Sequence, residues 1–179
     1  MDTSLLADAF VSVMRALSLA CVGAGAGISL AEALRGLPIC AKRTGGGAAA
    51  GRSESRPEMI RVEARHTFPV PVSEAFAYIT EISHWAEYWP DFVRIQYPAT
   101  ARWSEPGDMV TLVLRLLRRE RALIMQLEQL GKDALVTYVS RQEGLPDVRH
   151  ERYFRAVPGG FEYRLVVAFE PRRGLEGLF

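Results

Sequence analysis

A chain of 179 residues carrying 22 basic and 21 acidic side chains is too near neutrality to present the broad basic surface that nucleic acid selects. Its two cysteines, Cys21 and Cys40, both precede Met59, which excludes disulfide stapling, thiolate catalysis and Cys-ligated metal from everything after that residue. His66, His84 and His150 lack the close spacing of a ligand pair, so neither a metal nor a cofactor is expected.

The 17 aromatic side chains divide unevenly, and Phe10 is the only one before Met59. Aromatic side chains supply much of the area that a small core buries. The division predicts one folded, ligand-binding domain over residues 59–179. Residues 1–58 read as an N-terminal extension and linker, with Met59 a candidate native start. Within that extension Leu5, Phe10, Val13, Met14 and Leu17 fall near helical spacing. The uncharged run Ala16 to Ala31 is too rich in Ala and Gly to be read as a membrane span. Asp2 and Asp8 stand where a signal peptide would be basic, so a cytoplasmic location is expected. Lys42 to Pro57, KRTGGGAAAGRSESRP, has the composition of a flexible linker.

From Ile60 to Phe68 apolar and polar residues alternate with period two, which predicts a half-buried strand ended by Pro69 and Pro71. Ser73 is positioned to cap a helix carrying Phe76, Ile79 and Ile82. A second short helical segment holds His84, Trp85, Tyr88 and Trp89 and stops at Pro90. Six strands then follow: Phe92 to Trp103, Asp108 to Arg118, Glu120 to Leu130, Ala134 to Gln142, Pro146 to Val157 and Phe161 to Glu170. Turn residues such as Gly131-Lys132-Asp133, Glu143-Gly144 and Pro158-Gly159-Gly160 separate them. Consecutive strands on short turns make an antiparallel meander, so the class is α+β.

The strand phases put Leu123, Met125 and Leu127 on one face. Val148, His150, Arg152 and Phe154 share a face, as do Tyr163 and Leu165. With Ala64 and His66 these residues line an apolar concavity holding a few polar groups, the pattern of a small-molecule site. Phe76, Ile79 and Trp89 are expected to close it from the helical side. Trp85, Tyr88 and Trp89 fit either the rim of this site or plain packing of the short helix on the sheet. Arg115, Arg118, Arg119 and Arg121 read as a solvated hairpin tip balanced by Glu120.

The stretch Val70 to Phe92, VPVSEAFAYITEISHWAEYWPDF, following a strand, resembles the opening of the START-like or SRPBCC superfamily. Its polyketide cyclase/dehydrase and lipid-transport branch is the most similar. The resemblance rests on Pro71, Glu74, Phe76, Ile79, Trp85, Trp89 and Pro90, and on the later turns at Glu143 to Pro146 and Pro158 to Gly160. It implies a helix-grip fold: a curved seven-stranded antiparallel sheet gripping a long C-terminal helix around a hydrophobic cavity. It further implies binding of a lipid, polyketide or quinone-like molecule, and assigns no catalytic residues. After Glu170 the chain has room only for the first turn of that helix, around Leu175, Leu178 and Phe179, so a truncated lid and an open concave face are expected.

Three functions fit this pattern. The favoured one is non-catalytic binding of a hydrophobic or aromatic small molecule. A polyketide aromatase/cyclase or dehydratase would instead use His66, His150, Tyr163 or Arg152. A partner-binding module, including a homodimer, would fill the open groove with another chain's helix. No nucleic acid and no integral membrane span enter any of the three.

Overall fold

The computed structural model describes residues 39–40, 59–89, 91–98, 101–116 and 119–170. The strands are β1 (Ile39–Cys40), β2 (Ile60–Phe68), β3 (Phe92–Pro98), β4 (Met109–Leu116), β5 (Arg119–Gly131), β6 (Leu135–Arg141), β7 (Val148–Val157) and β8 (Gly160–Phe169). Between β2 and β3 lie helix α1 (Val72–Thr80), a 3-10 turn (Ile82–His84) and the short helix α2 (Trp85–Tyr88). All pairings are antiparallel, in the order β1-β2-β8-β7-β6-β5-β4-β3. Seven long strands thus form the expected curved α+β sheet, and the two residues of β1 extend it beside Glu63 and Ala64. The expected first-turn helix around Leu175 to Phe179 lies outside the described residues.

Turn chemistry sets the registers. In the β6–β7 hairpin Ser140 faces Val148, Tyr138 faces His150 and Val136 faces Arg152, a pairing symmetric about Gly144. Gly144 has φ +82°, a backbone state that glycine adopts without steric cost. Gly160 meets a different need. A Cβ there would overlap the carbonyl oxygen of Phe68, so only a hydrogen lets the start of β8 pass the end of β2. On β5 the pairing shifts between Leu127 and Gln129, leaving Glu128 as the extra residue of a bulge. β3 carries two such irregularities, between Phe92 and Arg94 and between Ile95 and Tyr97.

α1 starts at Val72 with Pro71 in the cap position, where Ser73 was expected, and no side chain caps it. Ser73 therefore lies within the first turn, where Glu74 complements the helix dipole. Its last carbonyls are satisfied locally. Trp85 Nε1 donates to the Ile79 oxygen at 2.8 Å, and Thr80 Oγ1 donates to the Phe76 oxygen at 2.9 Å. Tyr78 donates to Glu87 at 2.7 Å and stacks on His84, tying α1 to the segment that follows.

The expected strand from Phe92 to Trp103 ends early, at Pro98. Residues Ala101 to Trp103 leave the sheet edge and pair with the end of α1. Ile82 N donates to the Ala101 oxygen and Trp103 N donates to the Thr80 oxygen, both at 3.0 Å. This detour carries Trp103 into the core at 1% exposure, edge-on to Trp85 at 4.7 Å.

The two faces of the sheet differ in chemistry. The outer face is laced with ion pairs, among them Arg61–Glu151 (3.3 Å), Arg149–Glu128 (3.3 Å) and Arg155–Glu162 (3.1 Å). The inner face is the core. Met125, Leu127 and Leu165 are buried, as is Phe154, which meets Phe76 of α1 at 5.3 Å. An open concave face was expected for a lidless sheet, but these apolar positions are out of water, and Phe76 of α1 lies against Phe154.

Candidate functional site

Antiparallel registers place His150 and Arg152 on the inner face of β7, in line with Tyr138 and Val136 of β6 and with Val167 and Leu165 of β8. Residues directly opposite on paired strands share a face, so the hairpin delivers a tyrosine, a histidine and an arginine to one interior patch. Tyr138 is its centre. The His150 ring stacks on it at 4.4 Å with an interplanar angle of 5°. The Arg152 guanidinium carbon lies 5.1 Å from its ring centroid, and Arg152 Nη2 donates to its hydroxyl at 2.8 Å. Trp103 approaches the same ring at 4.9 Å.

Arg152 is 2% exposed, flanked across the strands by Val136 and Leu165, both fully buried. Burial disfavours its charge, while Tyr138, Tyr163 and Tyr88 favour it, and the balance lies toward the charged form. No carboxylate pairs with it among the described residues. The three tyrosines have hydroxyl pKa values raised above the ordinary range, burial being the largest cause, so they stay neutral and leave the positive charge uncompensated. A buried charge without an ionic partner costs several kcal/mol of desolvation, at order of magnitude.

His150 is held differently. Its Nε2 lies 2.9 Å from Ser140 Oγ, which also reaches the Val148 oxygen at 3.4 Å. Burial, reinforced by the Arg152 charge, lowers the imidazole pKa to about 3, so the ring is neutral at ordinary pH. Part of the residue remains accessible, but Nδ1 is buried. His150 Nδ1, Arg152 Nε and Trp103 Nε1 have no hydrogen-bond partner among the described residues, nor does Trp89 Nε1. Buried polar atoms are ordinarily satisfied, so three orphans on the neighbours of one tyrosine ring mark the patch as more than packing.

Most residues expected to line the cavity come together on this inner side. Ala64, Phe76, Ile79, Trp89, Met125, Leu127, Arg152, Phe154, Tyr163 and Leu165 are buried, while Leu123 and His150 are partly so. His66 is the exception to the expected interior. It faces Tyr163 across the β2–β8 pair, yet it is exposed along with Arg65 and Thr67, although Phe68, next on the same face, is buried. Its ring rests edge-on against Phe68 at 4.6 Å. Tyr138, Ser140 and Trp103 were not expected here. The first two follow from folding β6 onto β7 about Gly144, whereas Trp103 depends on a detour with no local signature.

A groove of about 390 Å3 opens on the outer face, lined by Arg65, Ala134, Tyr153, Phe154, Arg155, Glu162 and Arg164. Its cations are engaged: Arg155 with Glu162, Arg65 with Glu63, and Arg164 over the Tyr153 ring at 3.9 Å. It is separate from the Tyr138 patch and has the character of an ion-paired surface. Among the described residues no three His, Cys, Asp or Glu side chains gather as metal ligands. None of the described helices is long and apolar enough to cross a membrane.

No family model and no curated protein matches the sequence. Solved structures do match in space. Protein CV1439 from Chromobacterium violaceum superposes with a TM-score of 0.55 at 12% identity, covering 62% of this chain and 80% of its own. Ara h 8.0201 gives 0.55 at 15% identity, covering 64% and 80%. Protein Ms6760 from Mycobacterium smegmatis gives 0.53 at 13% identity, covering 66% and 77%. At such identities the likeness is one of fold. The chain has the helix-grip architecture that its residues from Val70 to Phe92 resemble.

Proposed function

We propose that this chain binds a hydrophobic or aromatic small molecule between the inner face of its sheet and the helices α1 and α2. The observation that carries the reading is the unpartnered polar patch around Tyr138, set within an otherwise aromatic and aliphatic interior. Apolar walls with a few convergent polar groups are what small-molecule sites are made of. The helix-grip fold supports it, since the superfamily that the sequence resembles holds lipids, polyketides and quinone-like molecules in that interior.

Binding is favoured over catalysis by His150. A general acid or base works best with a pKa near the operating pH, and a value of about 3 leaves His150 a weak base that carries no proton to give. His66, across the strand pair from Tyr163, is exposed to solvent. The partner-module reading needs an open groove, and the buried state of Met125, Leu127 and Leu165 removes its main support.

Native mass spectrometry of the purified full chain tests the proposal. A co-purifying small molecule should be lost in Ala64→Trp, which adds bulk at a buried inner position opposite Leu165. It should be kept in Arg149→Trp, on the exposed outer face. Equal retention in both variants, or equal loss, would reject an interior site.

A further inference from the structure

Among the described residues most surface arginines are ion-paired, whereas the one buried arginine is not. Arg61, Arg94, Arg102, Arg141, Arg149, Arg155 and Arg164 all lie toward solvent, and each has a carboxylate within 4 Å. Arg152 is buried, where a charge most needs an ionic partner, and has none among the described residues. Evenly balanced acidic residues were available to the chain, so the omission lies in their placement and not in their number.

Around Arg152 the hydrogen-bonding groups are also lopsided. A guanidinium offers five N–H donors and no acceptor, and an indole offers one donor and no acceptor. Tyr138 occupies one guanidinium nitrogen, Nη2, while Arg152 Nε and Trp103 Nε1 remain without acceptors. Tyr88 also accepts from the guanidinium while donating its own hydrogen to the Ile79 oxygen at 3.4 Å, and Tyr163 adds a second neutral hydroxyl beside the charge. What remains unpartnered on Arg152 and on the Trp103 indole are donors, Arg152 Nε and Trp103 Nε1, and the charge beside them is positive. What the patch lacks is an acceptor-rich group with one negative charge.

Resting on the binding proposal above, we infer that the ligand is an acid: an apolar body ending in a carboxylate that pairs with Arg152 beside Tyr138. The planar fork of a guanidinium matches the two oxygens of a carboxylate, and the aromatic surroundings exclude the water that would weaken the pair. The aromatic and aliphatic walls accept the body. This assigns Arg152 as a ligand-charge anchor, with Tyr138 holding the guanidinium in place by the 2.8 Å bond.

The test uses matched acids and esters on the full chain: 2-naphthoate against methyl 2-naphthoate, and laurate against methyl laurate. Binding is followed calorimetrically, with tryptophan fluorescence as a second readout. A charge-assisted hydrogen bond predicts that wild type takes at least one acid about tenfold or more tighter than its ester. Arg152→Met, of similar length and uncharged, should erase that preference while leaving ester affinity nearly unchanged. Arg152→Lys should keep the preference at lower affinity, and covers the case in which the Met variant does not fold. Equal affinity of wild type for acid and ester overturns the charge inference but leaves the interior site standing. A preference that survives in Arg152→Met overturns it as well. If neither acids nor esters bind wild type, the interior site falls and this inference falls with it.

Discussion

His150 and Arg152 stand two residues apart on one strand, so they share a face and each conditions the other. Burial first, and the Arg152 charge second, lower the His150 pKa from 6.5 to about 3. A base whose pKa is lower folded than unfolded lets the unfolded chain take the extra proton between those values. Its contribution to stability is whole above pH 6.5 and is lost as pH falls toward 3. Near pH 5 the loss amounts to about 2 kcal/mol. Urea midpoints of wild type and His150→Gln, compared from neutral pH downward, should therefore diverge: wild type falls more steeply below 6.5. Parallel curves would mean that the imidazole is not held neutral by the fold. At this scale much was legible beforehand. The alternation of Val148, His150, Arg152 and Phe154 identifies the inward residues from sequence alone. The central role of Tyr138 was not, because it depends on which strand lies beside β7 and in what register, which only the Gly144 hairpin determines.

The elements follow local rules where those rules are strong and depart where distant segments compete. Period-two alternation identifies β2 and β7, whose apolar and polar residues alternate between faces, and the first half of β8, whose second half is buried on both faces. The end of β3 was not legible. Trp103 leaves the strand line because its indole gains burial beside Trp85 and Tyr138, and its backbone finds partners at Thr80 and Ile82. Ser73 was expected as a cap from its type, yet α1 begins at Val72, immediately after Pro71, whose fixed φ suits a helix entry. A glycine that is easily read as mere turn material proves to be a close-packing requirement. Gly160→Ala would push a methyl group into the Phe68 carbonyl and should cost about 1–3 kcal/mol, as overpacking does. Gly159→Ala, adjacent but with open space around its Cβ position, carries only the milder strain of its φ of +82°. Chemical denaturation of the two variants compares them directly, and a larger loss at Gly159 would contradict the assigned β2–β8 approach.

At the scale of the molecule, one aromatic network joins the helices to the sheet. Phe76 of α1 meets Phe154, which in turn meets Phe161 and Tyr163. Phe76→Ala should therefore cost about 3–5 kcal/mol and lower the thermal midpoint sharply. Arg94→Ala should cost less than about 1 kcal/mol, since both Arg94 and Glu120 of that pair lie largely in solvent. Similar midpoints for the two variants would show that α1 is not anchored through Phe76. The two-sided character of the sheet was legible as a whole: an inner face of Leu, Met, Phe and Tyr against an outer face of Arg and Glu. The dry state of the inner face was not, because it depends on contacts between segments distant in sequence, such as Phe76 against Phe154 and Trp103 against Tyr138.

The irregular β3 has a consequence for how such sheets meet one another. An open sheet ends in a strand whose unpaired backbone groups invite another chain to continue the ladder, the first step toward fibrils. β3 occupies that position, and its two register breaks and terminal Pro98 interrupt the row of evenly spaced donors and acceptors. A newcomer strand would match it over only a few residues before falling out of step. The register breaks thereby make this edge a poor template for a further strand, and exposed Arg94 adds a charge to it.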